Sequence, residues 1–291
     1  MRTPRTSTPG FLKETEAIAD LQREQQAPLG VLVNLCPTEP LSLQRIKRNE
    51  PDWRNLVRLS LRTPGITPSR LYFRLAIEAG LHFINFTPNA AETQALRELA
   101  EEKRLLYCGR DGKTGQTFLK TVLAPALRDR NLRIDGWYST NLLGNDDGIT
   151  LDNDDCRKTK QHSKLAALPQ ILGYQPGGSS HCHQVHIHYY PPRGDAKEAW
   201  DSIDFTGFLE MPMQLKLNWL GRDSILAAPA VLDLVRLVCY GASLKRKGLL
   251  HELSYFFKDP LSTPQSGMPL HSTPDQFKKL MDFLGRGQKR S

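Results

Sequence analysis

Leu105-Leu-Tyr-Cys-Gly-Arg-Asp-Gly-Lys-Thr-Gly-Gln-Thr-Phe-Leu-Lys120 runs from an apolar strand through a glycine-rich turn into a helix that the sequence starts near Thr114. A buried strand that hands over to a helix within one turn is a building unit of a parallel α/β sheet. The same junction favours anions, because unpaired backbone N–H groups and the positive end of the helix dipole point outward where glycines allow close approach. Lys113 and the hydroxyl of Thr114 stand beside that cradle. Gly112-Lys113-Thr114 also imitates the end of a P-loop, whose pattern requires another glycine five positions before Gly112. Tyr107 occupies that position, so a nucleotide-wrapping loop is incomplete. A glycine turn with a purely structural role is the remaining alternative.

Working outward, Gly30-Val-Leu-Val-Asn-Leu35 is an apolar run of the kind found in a buried parallel sheet, and it ends in the loop Cys36-Pro-Thr-Glu-Pro40. Phe11 to Gln26, Ser69 to Ala79 and Ala90 to Lys103 read as helices, and His82 to Phe86 and Leu105 to Cys108 as strands. This alternation predicts a doubly wound α/β fold with parallel strands. Residues 1–10, rich in Pro, Thr, Ser and Gly, read as disordered. From Leu132 the character changes. Arg133 to Thr140, Gln184 to Tyr190 and Phe208 to Asn218 read as strands around a helix from about Lys158 to Leu172, which predicts an inserted α+β unit. The expected division is 11–111 with 219–291 for the doubly wound domain and 112–218 for the insertion. The helix Ser224 to Tyr240 is apolar nearly all round and is expected to be buried against the first sheet.

With 291 residues and 39% hydrophobic content the chain can bury a large core. No apolar run is read as approaching the roughly 20 residues of a membrane span, and Met1-Arg-Thr-Pro-Arg-Thr has no signal core behind it. A soluble, cytoplasmic protein without a membrane partner is expected. The five cysteines form no C-x-x-C pair, which argues against a disulfide framework or a zinc site. His181 and His183 face one side of a strand, and His186 and His188 the other, so no metal is expected there. Net charge is +8, which favours an anionic partner. Eight of the basic residues lie between Arg45 and Arg74, against only Glu50 and Asp52. Trp53 and Tyr72 stand nearly alone among them, so a nucleic-acid surface is not expected.

Lys160 and Lys164 share a helix face, where like charges repel by a few tenths of a kcal/mol unless an anion lies between them. In Arg193-Gly-Asp-Ala-Lys197 the chain is read as turning from a strand into a helix, with Asp195 and Lys197 flanking the turn. Asp223 and Ser224 precede the apolar helix as candidate caps, and Asn145-Asp-Asp-Gly148 reads as a turn.

In order and spacing these clusters resemble the inositol-3-phosphate synthase family. That family shows segments like G-D-D-x-K-S-G-Q-T, N-x-L-G-N-N-D-G, R-S-K-E-I-S-K, G-D-S-K and E-D-S-L-L-A-A-P. Here the counterparts are Gly109-Arg-Asp-Gly-Lys-Thr-Gly-Gln-Thr117, Asn141-Leu-Leu-Gly-Asn-Asp-Asp-Gly148, Arg157-Lys-Thr-Lys-Gln-His-Ser-Lys164, Gly194-Asp-Ala-Lys197 and Gly221-Arg-Asp-Ser-Ile-Leu-Ala-Ala-Pro229. Val33-Asn-Leu-Cys-Pro-Thr-Glu39 and Phe83-Ile-Asn-Phe-Thr-Pro-Asn89 resemble the family's strand-end loops beside its cofactor.

The resemblance implies a Rossmann-like sheet with an inserted catalytic and oligomerisation domain, NAD as cofactor, glucose 6-phosphate as substrate, and a homo-oligomer, a tetramer in the family. It implies oxidation at C5, enolisation, attack on the C1 aldehyde and reduction, giving inositol 3-phosphate. Residue by residue, Thr114, Gly115, Gln116, Lys164 and Lys197, with Lys113 beside them, would hold phosphate and sugar. Lys160 would serve acid/base work at C5, and Asp195 and Asp223 would orient lysines or hydroxyls. Asn34, Thr38, Thr87, Asp111, Asn145 and Asp147 would lie toward the cofactor. Three departures stand out. The family's glycine-rich loop after its first strand has no counterpart before Phe11, which leads to the expectation of weak or absent catalysis by these residues alone. Arg110 replaces the first acid of the D-D pair. A lysine that the family carries near its C-terminal end has no match around His271-Ser-Thr-Pro274, with Lys278 the nearest candidate.

Overall fold

Four short strands, Val31–Asn34 (β1), His82–Asn85 (β2), Leu106–Gly109 (β3) and Gly248–Leu249 (β8), pair in parallel in the order β1-β2-β3-β8. The structure is a computed structural model that describes residues 8–26, 29–44, 50–55, 65–264, 267 and 269–288. Residues 1–7 of the segment expected to be disordered, and Arg45, Lys47, Arg48, Arg58 and Arg62 of the basic cluster, lie outside the described residues, whereas Thr8–Gly10 belong to the first helix.

Helices cover both faces of this sheet, as a parallel sheet requires. On one side Thr8–Glu24 (α1), Pro68–Glu78 (α3) and Gln94–Glu102 (α4) close a core around Phe73, Phe83, Leu96 and Tyr107. Thr67 caps α3 through its side chain, with Pro68 preset for the first turn, and Thr93 caps α4 in the same way. On the other side Asp223–Ser243 (α8) and Thr273–Gln288 (α9) pack through Leu234, Val238, Leu280 and Phe283. The short helix Leu41–Gln44 (α2) lies in the loop after β1.

The inserted unit has its own sheet, ordered β5-β4-β6-β7 from Arg133–Leu143 (β4), His183–Tyr189 (β5), Lys197–Thr206 (β6) and Pro212–Gly221 (β7). Gln116–Asp129 (α5) and Asp154–Leu172 (α7) cover one face through Ala124, Trp137, Ala167, Leu168 and Ile203. Asn153 caps α7 by accepting the N–H groups of Asp155 and Cys156, and Gly173 ends it at φ +78°, a left-handed position open to glycine at little cost. Asp146–Leu151 (α6) begins at Asn145, which accepts the Gly148 N–H.

Four expectations need correcting. The turn at Arg193–Lys197 leads into strand β6 rather than a helix, because Lys197, Ala199, Asp201 and Ile203 alternate inward beside β4. The strand expected over Phe208–Asn218 is a 3-10 turn at Phe208–Glu210 followed by β7. The apolar helix is α8, and only Leu234, Val238 and Gly241 of it are buried, since the first sheet meets it along a single stripe. Its 21 residues also make it long and apolar enough, by length and composition alone, to cross a membrane, so the reading that no run approaches that length does not hold.

The segment after β8 returns along the β3–α5 loop. Leu261 donates to the Gly109 carbonyl, Arg110 and Asp259 exchange backbone bonds, and the Lys113 N–H donates to the Phe256 carbonyl. Lys113 Nζ then donates to Gln276 Oε1 on α9 at 2.5 Å and lies over the Tyr255 ring. Among the described residues no carboxylate is within ion-pair distance of this amine. Burial pushes Lys113 down to about 7, from an ordinary value of 10.5. Because the folded state binds this proton less readily than the unfolded one, stability is expected to rise as pH climbs from about 7 toward about 10.5. Urea unfolding at pH 7 and pH 9 should show wild type gaining about 1–2 kcal/mol relative to Lys113→Met. Equal gains in both proteins would show that the buried amine does not titrate as described.

Candidate active site

The C-terminal ends of β1, β2 and β3, together with α6, α7 and the start of α8, enclose a cleft of about 520 Å³ between the two sheets. Its lining includes Thr38, Thr87, Asp111, Thr114, Asp147, Lys160, Asp223 and Lys258, with Pro37, Phe86, Ile149 and Ala227 as the apolar part. A second cavity of about 570 Å³ lies between α1, β1 and α3, lined by Ala17, Ile18, Leu32, Tyr72 and Leu75 among others. Among the described residues no lysine or carboxylate lines it, and the ionic groups gather in the first cleft. Gly112 forms part of the floor of that cleft, where a Cβ would come within 2.1 Å of the Phe86 ring.

The charges are arranged in two linked groups. Asp111, fully buried at the end of β3, accepts from Lys258 Nζ at 2.9 Å and from Ser163 Oγ on α7, with Lys160 Nζ at 3.8 Å. Burial alone would raise its carboxyl, but Lys258 and Lys160 outweigh burial and hold it down to about 2. Asp223 accepts from Lys197 Nζ at 2.5 Å and from Thr114 Oγ1 at 3.1 Å. Lys197 and Lys258 likewise hold it, against burial, below the usual carboxylate range. Lys160 also lies 4.0 Å from Asp147, and burial is outweighed at its amine by Asp147, Asp111 and Asp223, which hold it above its ordinary value.

Lys164 differs. Burial, then the charges of Lys197, Lys258 and Lys160, push it well below the ordinary lysine range, and its amine donates to Asn141 Oδ1 at 2.8 Å. One turn of α7 therefore presents two lysines of opposite tendency.

The helix that carries them is also fixed from the first domain. Thr159 Oγ1 donates to the Glu39 carbonyl at 2.9 Å, Gln44 Nε2 donates to that carbonyl and to Thr159 Oγ1, and Ser42 binds Asp155. Gln161 Nε2 donates to the Val185 carbonyl and ties the same helix to β5.

Of the residues read from sequence, Thr38, Thr87, Asp111, Thr114, Asp147, Lys160 and Asp223 meet in the cleft. Asn34 lies beneath it, donating to Asn85 and Thr87, while Gln116, Lys164 and Lys197 are buried behind its wall. Gly115 is the N-cap of α5, and a Cβ there would stand 3.6 Å from Asp223 Oδ1. Asn145 caps α6. Two residues are not brought in. Lys113 turns away to Gln276, and Asp195 is exposed, accepting from Ser224 Oγ at 3.1 Å beside the start of α8. Lys278 is exposed on α9, whereas Lys258, which sequence reading passed over, reaches the cleft. Phe256-Phe-Lys-Asp-Pro260 carries no spacing that marks it, and only the backbone pairing beside Gly109–Lys113 puts it there.

The family described as Myo-inositol-1-phosphate synthase matches residues 115–224, from the start of α5 to the start of α8. Inositol-3-phosphate synthase 1 of Bacteroides thetaiotaomicron is 44% identical over 203 residues, covering 68% of this chain and 47% of that protein. The chain belongs to the inositol-3-phosphate synthase family. The inositol-3-phosphate synthase of Sesamum indicum is 31% identical over 272 residues, 88% of this chain and 50% of its own length. The chain thus spans about half the length of these curated relatives. In fold it is similar to the crystal structure of inositol-3-phosphate synthase from Caenorhabditis elegans, with a TM-score of 0.85 at 24% identity over 97% of this chain and 57% of that one. A myo-inositol-1-phosphate synthase-related protein from Thermotoga maritima gives 0.70 at 24% identity over 93% and 70%. The Rossmann-like α/β architecture expected from the inositol-3-phosphate synthase resemblance is borne out.

Because Asp111 neutralises two buried amines, Asp111→Asn is expected to cost about 3 kcal/mol at pH 7 by urea unfolding. Its pKa is depressed on folding, so its contribution is present above about pH 4 and lost as pH falls through about 2. A variant as stable as wild type at pH 7 would remove Asp111 from this role.

Proposed function

We propose that the cleft binds a phosphorylated sugar, and that the protein of which these residues are part isomerises D-glucose 6-phosphate to 1D-myo-inositol 3-phosphate with NAD. The observation that carries this reading is the charge balance. Among the described residues Lys164, Lys197 and Lys258 are buried and Lys160 nearly so, whereas of the carboxylates around them only Asp111 is buried, Asp147 and Asp223 are half-buried and Asp146 is exposed, near the N-terminal end of α5. Surplus buried positive charge beside a helix N-terminus is suited to a phosphate dianion. The P-loop reading is disfavoured, since Lys113 is committed to Gln276 and not to the helix start.

In this reading Thr114, the backbone of Gly115 and Gln116, Lys164 and Lys197 hold the phosphate and sugar. Lys160, held between Asp111 and Asp147, is placed for proton transfer at the C5 oxygen. Asp223 orients Lys197 and Thr114, and Lys258 adds positive charge opposite the sugar. The lining also fits part of a nicotinamide nucleotide, because the hydroxyls of Thr38 and Thr87 and the carboxylate of Asp147 stand among Pro37, Phe86 and Ile149. Asn34 and Asn145 would support those loops from beneath. When bound, NAD would take up and return a hydride.

We further infer the division into 11–111 with 219–291 and 112–218, supported by the two separate sheets, and a cytoplasmic homo-oligomer, a tetramer as the resemblance implies. Phe208, Leu209 and Met211 are 87%, 76% and 60% exposed before β7, and Ile225 and Leu232 are exposed on α8. Light scattering is expected to give a mass above the 32.9 kDa of one chain, and a monomer would refute the assembly.

Calorimetry with glucose 6-phosphate is expected to show binding that weakens at least about tenfold in Lys160→Met or Lys258→Met, the loss of one charge-assisted contact. Unchanged affinity in both variants would refute the site. Salt-sensitive binding of DNA or RNA with no response to the sugar phosphate would refute the substrate class.

A further inference from the structure

Between Lys164 and a buried carboxylate lie two amides, and the chemistry at one end fixes how each of them points. Asp201, on the inward face of β6, accepts Trp137 Nε1–H at 2.7 Å and Ser139 Oγ–H at 2.6 Å on Oδ1. Its Oδ2 accepts from Gln116 Nε2 at 2.8 Å. An ionised carboxylate only accepts hydrogen bonds. Gln116 must therefore turn its NH₂ toward Asp201 and its carbonyl toward Asn141, whose Nδ2 donates to Gln116 Oε1 at 2.8 Å. Asn141 Nδ2 also donates to the His186 carbonyl at 3.4 Å, and the two contacts together leave its oxygen toward Lys164, which donates to it at 2.8 Å. Asp201, Gln116, Asn141 and Lys164 are all at least nine-tenths buried, so water is not at hand to take either amide's place.

We propose that Asp201 is a positioning residue of the site: acting through Gln116 and Asn141, it holds an oxygen against Lys164 and so favours the protonated form of that amine. The opposing forces are plain. Lys160 from the same helix, Lys197 from β6 and Lys258 from the segment after β8 repel a proton on Lys164, and Asp223 at the start of α8 is the carboxylate that draws it. At the far end Lys120 from α5, stacked over Trp137 and 3.0 Å from His183 of β5, is the cation beside Asp201. The meaning of the relay for catalysis rests on the sugar-phosphate reading, whereas the relay itself does not.

Asp201→Asn tests it. The new carbonyl stays with Trp137, whose indole N–H can only donate, and with Ser139 beside it, so the new NH₂ faces Gln116. Gln116 must then turn over, which drives Asn141 to follow at the cost of its long 3.4 Å bond to the His186 carbonyl, and an NH₂ meets Lys164, which can accept it only as a neutral amine. In the full chain labelled with ¹³C-lysine, and with the Lys164 resonance assigned from Lys164→Arg, the titration midpoint of Lys164 is expected to fall by about one pH unit, a tenfold loss of proton affinity. Gln116→Leu interrupts the relay without touching Asp201, shifts the midpoint in the same direction, and serves if Asp201→Asn does not fold. An unmoved midpoint in either folded variant overturns the proposal. Calorimetry of wild type with glucose 6-phosphate separates the two readings. Binding alongside an unmoved Lys164 overturns the relay alone, while a moved Lys164 without binding upholds the relay and overturns the sugar-phosphate site.

Discussion

A carboxylate with almost no access to water must be compensated by its neighbours, and Asp111 is compensated by residues from parts of the chain that would otherwise have no reason to meet. It sits where β3 of the first sheet ends, and its oxygens take Lys258 from the segment after β8 and Ser163 from α7, with Lys160 close by. Isolated ions of either sign would be costly to bury, so the sheet, the returning segment and the inserted helix are stable there only in company. The position of the cleft follows, because the same contact closes one wall of it and supplies two of its amines.

Desolvation then gives one residue type two chemistries. Lys160 has carboxylates on several sides and stays firmly charged, while Lys164, one turn further along α7, has an amide oxygen and three cationic neighbours. A site assembled from lysines alone would repel itself, and carboxylates of graded exposure offset that repulsion here, Asp111 buried, Asp147 and Asp223 half-buried and Asp146 exposed. Any charged ligand of the cleft would therefore draw on the same electrostatics as folding.

Much of the first domain was legible because parallel strands buried on both faces and the helices between them leave local marks: Val31–Asn34, the helix over Ser69 to Ala79 and the glycine turn after β3 read directly from residue order. The site lysines on α7 were legible because helical spacing put them together. Lys258 was not, since its placement depends on backbone pairing with residues about 150 positions earlier, which no local pattern encodes. Strand β6 escaped because Asp201 and Lys197 interrupt its apolar alternation with polar groups that are paired only in the fold. Helix α8 misled because composition reports that apolar surface must be covered, not which surface covers it.

The hydrogen bonds from Thr159 and Gln44 to the Glu39 carbonyl act on the residue next to Lys160. Sliding α7 by one turn would displace its lysines by about 5.4 Å, and it would strand the buried Thr159 hydroxyl while leaving the Gln44 amide with the Glu39 carbonyl alone. The helix is thus indexed like a key against a stop. Small tremors of the strand-end loop are passed to the lysines as shared motion, and an error of register is excluded before any ligand arrives.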